Sequence, residues 1–266
     1  MIILKPRQGH KGDSFRELLD IWESEGLCKL EDSPDGFCWV DKPGNILLYD
    51  HPRIDDRPVS RFEYGLFGNT IPNCADDRCK PWIFWGRKPK LIEKYKTEFR
   101  RSYRDRKIES IFLGKIENQV QLNKRSSHDW SDCIELFSMP VMMGDTNRWP
   151  YTQEEYLEKL SYSKFGLCLP GYGPKCNREI EYMAFGVVPI VTPGVDTTYY
   201  NELVENKHFI KISSPEEIDK LREVKEEEWK TLSDNCISWY EENCSSHGSF
   251  STTCKILNEV FQYECE

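Results

Sequence analysis

Two hydrophobic periods alternate along the chain. Short apolar runs that end at glycine or proline are typical of buried strands, and apolar residues spaced three or four apart are typical of amphipathic helices. Because segments of the two kinds follow one another repeatedly, the sequence predicts an α/β fold, in which helices cover sheets. The predicted strands are residues 1–4, 37–40, 45–49, 82–85, 110–113, 133–137, 165–169, 187–191 and 208–212.

Predicted helices connect most of these strands. The clearest ones are residues 15–25, 88–106, 152–160 and most of the chain after residue 215. Ser14 and Thr152 are suitable N-caps, and Thr152 forms a capping-box pattern with Glu155. The segment 53–80 is dominated by polar and turn residues and is predicted to form loops.

The stretch 164–191 has the best-defined pattern, which is a strand, a glycine loop, a helix and a second strand. Its first apolar run ends at Pro170-Gly171, where a turn begins. Gly186 is placed to end the helix, and the apolar run of the second strand follows it. Any chemistry of this stretch is expected at the start of its helix.

Residues at the start of this helix are suited to bind a phosphate. A helix N-terminus presents free N–H groups and a partial positive charge, and Arg178 adds a planar fork of donors. Glu181 lies one turn further on, where a carboxylate can accept two ribose hydroxyls. The alternative is a glycine-capped helix in which Arg178 and Glu181 form a solvated ion pair. Spacing alone leaves both interpretations open.

Composition narrows the range of partners. The 266 residues include 36 Lys and Arg against 45 Asp and Glu, which gives a formal net charge of −9. Nucleic-acid binding requires a basic face, so this class of function is disfavoured. No apolar run approaches the length of a membrane-spanning helix. We therefore expect a soluble protein, and any anion site must be a local basic pocket.

The cysteines and histidines do not form a metal-binding pattern. The chain has 11 cysteines without a C-x-x-C pair, and 5 histidines without metal-ligand spacing. A zinc site is therefore not expected. The apolar run at the start of the sequence is only four residues long before Lys5-Pro6, which is shorter than the apolar region of a signal peptide. These features predict a cytoplasmic location, with mostly free thiols. The alternative is a secretory-pathway protein without its anchor, in which the cysteines would form disulfides.

Two segments of the stretch resemble a known family. The residues Arg178, Glu181, Gly186 and Pro189 form the pattern R-x-x-E-x-x-x-x-G-x-x-P-I-V, which resembles the signature of exostosin-like (GT47-type) glycosyltransferases. Upstream, residues 163–173 are similar to the family segment SKFCLxPxGxG. The similarity is good over residues 161–191 and weaker back to about residue 110, and the first hundred residues carry no family motif.

The resemblance implies a fold and an activity. The fold would be GT-B-like, with two Rossmann-like domains, 1–104 and 105–266, facing a central cleft, and with the last helix packed back on the first domain. The activity would be inverting, metal-independent transfer of a sugar from a UDP-sugar to a hydroxyl of an oligosaccharide or glycoprotein, without a cofactor. Small transferases of large algal viruses are similar, which makes UDP-xylose the first choice of donor and a fucose-containing capsid glycan the first choice of acceptor.

The resemblance also assigns candidate site residues. Those expected to bind the nucleotide sugar are Lys115, Arg125, Gly171, Tyr172, Gly173, Asn177, Arg178 and Glu181. The general base is expected from the first domain by position and not by resemblance, because these candidates follow predicted strands. Asp13 or His10 ranks ahead of Asp50 or His51. The alternatives for these four residues are polar turns next to a helix and a strand. A nucleotide-sugar- or glycan-binding module without turnover is the alternative function.

Overall fold

A computed structural model describes residues 1–6, 14–41, 45–49, 61–69, 78–143 and 149–261. The strands in these ranges are β1 (Ile2–Lys5), β2 (Lys29–Asp32), β3 (Cys38–Val40), β4 (Ile46–Tyr49), β5 (Tyr64–Phe67), β6 (Cys79–Pro81), β7 (Ile108–Leu113), β8 (Leu136–Ser138), β9 (Ser163–Cys168), β10 (Val188–Val191) and β11 (Ile210–Lys211). The helices are α1 (Ser14–Ser24), α2 (Pro89–Phe99), α3 (Gln119–Arg125), α4 (Gln153–Ser161), α5 (Asn177–Ala184), α6 (Lys220–Glu223), α7 (Glu226–Asn243) and α8 (Ser246–Phe261). The predicted α/β fold is confirmed.

The chain divides into two compact units. Unit 1 comprises residues 1–93, 197–202 and 241–266, and unit 2 comprises residues 94–196 and 203–240. The last helix, α8, is thus part of unit 1, where it contacts α1. Among the described helices, none is long and apolar enough to cross a bilayer.

Unit 1 contains a mixed six-stranded sheet with the order β2-β1-β3-β4-β5-β6. The strands β4, β5 and β6 are parallel to one another, and β3 is antiparallel to both β1 and β4. Three of these strands were not predicted, and the prediction of loops throughout 53–80 is wrong for β5 and β6. The two edge strands, β2 and β6, contain no buried residue. Their sequences, KLED and CKP, therefore lack the apolar run by which a buried strand is recognised. In β5 the apolar run is short and contains Gly65.

The aromatic segment 82–85 was predicted to be a strand, but it follows β6 without joining the ladder. The segment is apolar because its side chains pack in the core of unit 1, where Trp82 and Trp85 are 0% and 2% exposed. Phe15 of α1 stacks on Trp85, with ring centroids 4.6 Å apart. A continuous apolar run therefore indicated burial here and did not indicate a strand.

Helix α1 packs its apolar side inside unit 1, as its spacing predicts. Its five apolar residues Phe15, Leu18, Leu19, Ile21 and Trp22 are all buried. The Trp22 indole Nε1 donates hydrogen bonds to the carbonyl of Ser246 (3.1 Å) and to Oγ of Ser249 (2.9 Å). Both acceptors belong to α8, so the indole fixes the pairing of the first and last helices.

Unit 2 contains a parallel five-stranded sheet with the order β8-β7-β9-β10-β11. In the order of the unit's own sequence this is 2-1-3-4-5, one of the two common arrangements of doubly wound sheets. The order reverses between β7 and β9, which is the switch point where such folds bind ligands. The core residues of this sheet and its helices include Phe112, Trp130, Ile134, Phe165, Leu167, Leu169, Val188, Ile190, Ile212, Trp229 and Leu232.

The predicted helix over 88–106 is too long, because α2 ends at Phe99. Beyond the end of α2, Arg106 is 3% exposed and binds backbone instead of facing water. Its guanidinium donates to the carbonyls of Arg101 (3.1 Å), Ser161 (3.1 Å), Ser163 (2.7 Å) and Phe185 (2.6 Å). A charge-rich sequence thus contains a buried structural cation, which periodicity does not distinguish from a solvated one.

Most of the described cysteines carry thiols, as expected. These are Cys28, Cys38, Cys79, Cys133, Cys168, Cys176, Cys236 and Cys244. Cys254 is the exception in the described ranges, because it is disulfide-bonded. The cysteine content of the described chain is therefore mainly packing material, since thiols pack as small apolar groups.

Helices α1 and α5 end in the same motif. Gly26 and Gly186 are the C′ residues, with φ of 74° and 68°. In each motif the next amide donates five residues back, from Leu27 to Trp22 (2.9 Å) and from Val187 to Tyr182 (2.9 Å). The surroundings differ, because a Cβ on Gly26 meets nothing within 4 Å, whereas one on Gly186 would lie 2.6 Å from Oγ of Ser233.

This pair of glycines separates backbone strain from packing. We expect Gly26→Ala to destabilise unit 1 by about 1 kcal/mol, the cost of a left-handed alanine. Gly186→Ala should cost unit 2 roughly 1–3 kcal/mol more, since the methyl group also overpacks the site. Amide hydrogen exchange on both variants would measure each unit separately. Equal losses of stability in the two variants would show that the residues around Gly186 make room for the methyl group without a cost.

Candidate active site

The carboxyl ends of β7, β9 and β10 carry the loops of the candidate site. The loops are residues 114–118, 169–176 and 192–196, and they lie at one edge of the parallel sheet. The backbone N–H of Asp196 donates to the carbonyl of Pro174 (3.0 Å), which joins the second loop to the third. Because β7 and β9 flank the switch point, the first two loops lie at the position where doubly wound sheets commonly bind a ligand.

Helix α5 begins at this edge, directly after the glycine loop. Cys176 is its N-cap residue, and the N–H of Cys176 donates to Oε2 of Glu179 at 3.0 Å. Within the loop, the N–H of Gly171 donates to the carbonyl of Gly173 (3.1 Å). The predicted residues Gly171, Tyr172, Gly173 and Asn177 therefore form the loop and first residue of α5, which is where the sequence placed them.

Arg178 lies across the end of β7. It is 9% exposed, its Nη2 donates to the carbonyl of Leu113 (3.1 Å), and its Cζ lies 4.4 Å from the centre of the Phe112 ring. Gly114 permits this position, because a Cβ there would lie 2.7 Å from Nη2. The buried Nε and Nη1 make no hydrogen bond within the described chain. Both nitrogens are themselves buried, so an acceptor would reach them only after neighbouring side chains move.

Arg125 joins the two loops at the switch point. It is 4% exposed, and it donates from Nε to the carbonyl of Pro170 (3.0 Å) and from Nη1 to the carbonyl of Lys115 (2.6 Å). Burial lowers its pKa, and the nearby charge of Arg178 lowers it further. Arg125 was predicted as a ligand-binding residue, and these contacts make it a clamp that fixes the loops and adds positive charge.

Two lysines near these loops, Lys115 and Lys124, are engaged in polar contacts. Nζ of Lys115 forms an ion pair with Glu117 at 2.7 Å, and Nζ of Lys124 donates to the carbonyl of Tyr172 at 3.1 Å. Lys115 could bind a phosphate directly only if its Nζ left the carboxylate of Glu117 and paired with the phosphate instead. Surface ion pairs of this kind are weak, so the exchange has a low cost.

Glu181 is buried on the inner side of α5. It is 2% exposed, and its Oε2 accepts a hydrogen bond from the hydroxyl of Tyr156 at 2.8 Å. Arg178 is also buried, so the alternative of a solvated Arg178–Glu181 ion pair is wrong. The hydroxyl of Tyr156 interacts electrostatically with Arg178 as well, which places all three polar groups in one buried cluster.

Two further charged residues at this edge were not predicted. Glu179 is 3% exposed, and burial raises its pKa to about 7 although Arg178 and Arg125 oppose the shift. Lys175 is 2% exposed, and burial lowers its pKa to about 8 although Asp196 and Glu179 oppose that shift. Lysine in a glycine loop is ordinarily exposed, so the sequence offered no signal for its burial.

Glu179 did carry a signal. It stands three residues after Cys176, which is the capping-box spacing, and the structure has that box. The signal was weak because cysteine is not among the preferred N-cap residues. Tyr156 had no signal beyond the apolar periodicity of α4, since a buried tyrosine is recognisable as a polar partner only once its neighbour is known.

The predicted general bases Asp13, His10, Asp50 and His51 lie outside the described residues. Within the described ranges, no three His, Cys, Asp or Glu side chains are grouped so as to hold a metal ion. The charged side chains that the structure buries at this edge are Arg125, Lys175 and Arg178, with Glu179 and Glu181.

No family model matches the chain, and no curated protein matches its sequence. The case for a function therefore depends on the geometry of this edge and on the residue pattern that the sequence carries.

The raised pKa of Glu179 predicts a pH dependence of stability. Its ordinary value is 4.5 and the folded value is about 7, so between these values the folded protein binds the proton more tightly than the unfolded chain. Stability should therefore fall by about 3 kcal/mol as the pH rises through this window.

Glu179→Gln should remove this loss, because the amide stays neutral while its oxygen still accepts the Cys176 N–H. Urea unfolding of the wild type and the variant at pH 5 and pH 8 measures the difference, with Glu154→Gln on the exposed side of α4 as the matched control. Parallel curves for wild type and Glu179→Gln would contradict the burial argument.

Proposed function

We propose that the protein is a glycosyltransferase of the exostosin-like type, and that unit 2 binds the diphosphate of a UDP-sugar at the switch point between β7 and β9. The observation that carries the proposal is Arg178. It is a buried guanidinium at the carboxyl edge, with Nε and Nη1 unpartnered in the described chain. Buried charged donors are costly unless they are hydrogen-bonded, which favours an anionic ligand at this position.

The surrounding residues support an anion more than any other ligand. The N-terminus of α5 contributes a partial positive charge, and Arg125 adds a second buried cation. Planar guanidinium donors match the oxygens of a phosphate. A diphosphate bridging Arg178 and the helix terminus would therefore satisfy both at once.

The chemistry follows from this placement. Glycosyl transfer from a nucleotide sugar requires stabilisation of a leaving diphosphate and removal of a proton from the acceptor hydroxyl. Arg178, Arg125 and the helix terminus would stabilise the leaving group, as fixed dipoles and charges do in other sites. The proton would go to a base among Asp13, His10, Asp50 and His51. Glu181 would bind the ribose, a role proposed from its position one turn into α5 and from the family resemblance.

The finer features of the proposal also derive from the resemblance. They are the GT-B arrangement of two Rossmann-like domains about a cleft, inversion at the anomeric carbon, transfer without a metal ion, UDP-xylose as the donor and a fucose-containing glycan as the acceptor. The α/β sheet in each unit is compatible with that arrangement. A viral capsid glycan remains the first choice of product on this basis.

Binding of UDP tests the site. Calorimetry should detect binding to the wild type, and Arg178→Ala should weaken it about 100-fold, because two charge-assisted hydrogen bonds are lost. Arg178→Lys should be almost as weak, since lysine keeps the charge without the fork. Arg104→Ala is the control, because Arg104 is an exposed arginine of the same unit, with 83% of its side chain accessible. Unchanged affinity in Arg178→Ala would refute the site.

Turnover tests the enzyme. We expect xylose transfer from UDP-xylose to a fucose-bearing oligosaccharide in the presence of EDTA, with inversion at the anomeric carbon by NMR. Activity should be lost in Arg178→Ala and retained in Arg104→Ala. UDP binding without transfer from any UDP-sugar would instead favour a nucleotide-sugar-binding module.

A further inference from the structure

The first turn of α5 holds a second unpartnered buried group beside Arg178. Glu179 is 3% exposed, and its Oε2 is fixed by the N–H of Cys176 at 3.0 Å. Its Oε1 is buried and has no hydrogen-bond partner in the described chain. A carboxyl group in this position can hold a proton on Oε1 without breaking any existing contact.

Charged and titratable groups from several elements face this carboxyl group. They are Arg178 and Tyr182 on α5, Arg125 on α3, Cys168 at the end of β9, and Lys175 and Cys176 in the loop between β9 and α5. Burial raises the pKa of Tyr182 and Cys168 well above their ordinary values and that of Cys176 to about 11, so these three are neutral near pH 7. Only Glu179 and Lys175 of this group titrate near neutrality.

An anion at the tip of α5 would change the balance around Glu179. In the free protein, Arg178 and Arg125 favour the charged carboxylate. A diphosphate would place like charge near that carboxylate and would also occupy the donors of Arg178. Both effects disfavour the carboxylate, and a buried acid responds to a nearby like charge by taking up a proton.

We propose that Glu179 takes up a proton when the site binds the diphosphate of a nucleotide sugar, so that donor binding is coupled to proton uptake and weakens as the pH rises above neutrality. The proton comes from solvent and is bound by the carboxylate, and no covalent bond changes. This inference rests on the proposed function, because it needs an anion at the helix terminus. Because the folded-state pKa of Glu179 is about 7, a fraction of the molecules carry this side chain as a carboxylate near neutral pH and can gain a proton.

The pKa of Lys175 determines the pH at which proton uptake by Glu179 can be measured separately from proton uptake by Lys175. Its pKa is lowered to about 8, so at pH 7.0 it already carries most of its proton and has little to gain. Glu179 is then about half protonated and can gain about half a proton per site. The ligand adds nothing, because the esterified diphosphate of a UDP-sugar has no proton to gain or lose near neutrality.

Calorimetry with UDP-xylose at pH 7.0, in MOPS and in imidazole, measures this uptake. The two buffers differ in ionisation enthalpy, so the difference in binding heat gives the number of protons exchanged. We expect about half a proton for the wild type. Glu179→Gln should lose most of the uptake, and Glu223→Gln, an exposed carboxylate on α6, should keep it. The wild-type affinity should also fall several-fold from pH 7 to pH 8, and that of Glu179→Gln should fall less.

The outcomes distinguish this inference from the function on which it rests. Binding of UDP-xylose with equal heats in both buffers would overturn the inference and leave the diphosphate site intact. Uptake that persists unchanged in Glu179→Gln would assign the proton elsewhere and would also overturn it. Absence of binding by both UDP and UDP-xylose would remove the proposed function and the inference together. The wild-type measurement stands even if Glu179→Gln fails to fold.

Discussion

The buried guanidinium of Arg178 is the constraint on which the rest of the site depends. It is held by Phe112 and by the carbonyl of Leu113, both in β7, although it belongs to α5. This contact ties the helix to the strand on the far side of the switch point. A buried cation with two nitrogens that lack a partner among the described residues is destabilising, and an anion that reaches it would reduce the cost. The fold therefore keeps at this edge a group that a phosphate would stabilise.

The neighbouring charges prepare the same edge in different ways. Arg125 donates hydrogen bonds from two of its nitrogens to backbone carbonyls, one in each switch-point loop. These bonds fix the separation of the two loops in the ligand-free protein. Preorganised donors bind a developing charge without further reorganisation. Glu179 and Lys175 are near-neutral titrating groups in the same region, which makes the net charge of the edge depend on pH. Anion binding at this edge, as proposed, would therefore depend on pH.

Periodicity predicted the five strands of unit 2 and located the loop before α5, because buried parallel strands read as apolar runs. It failed for β2 and β6, whose edge positions leave them polar, and for 82–85, whose aromatic residues are buried without a ladder. At the site, residue type identified Arg178 but gave neither the burial of Glu181 nor its Tyr156 partner. Burial of a charged residue is set by packing between distant segments, which a linear pattern does not contain.

A crystal structure of the protein with UDP would test the central claim most directly. The account predicts the diphosphate at the N-terminus of α5, with its oxygens within hydrogen-bond distance of Nε and Nη1 of Arg178. UDP bound elsewhere on the chain, or bound here with those two nitrogens still unpartnered, would contradict it.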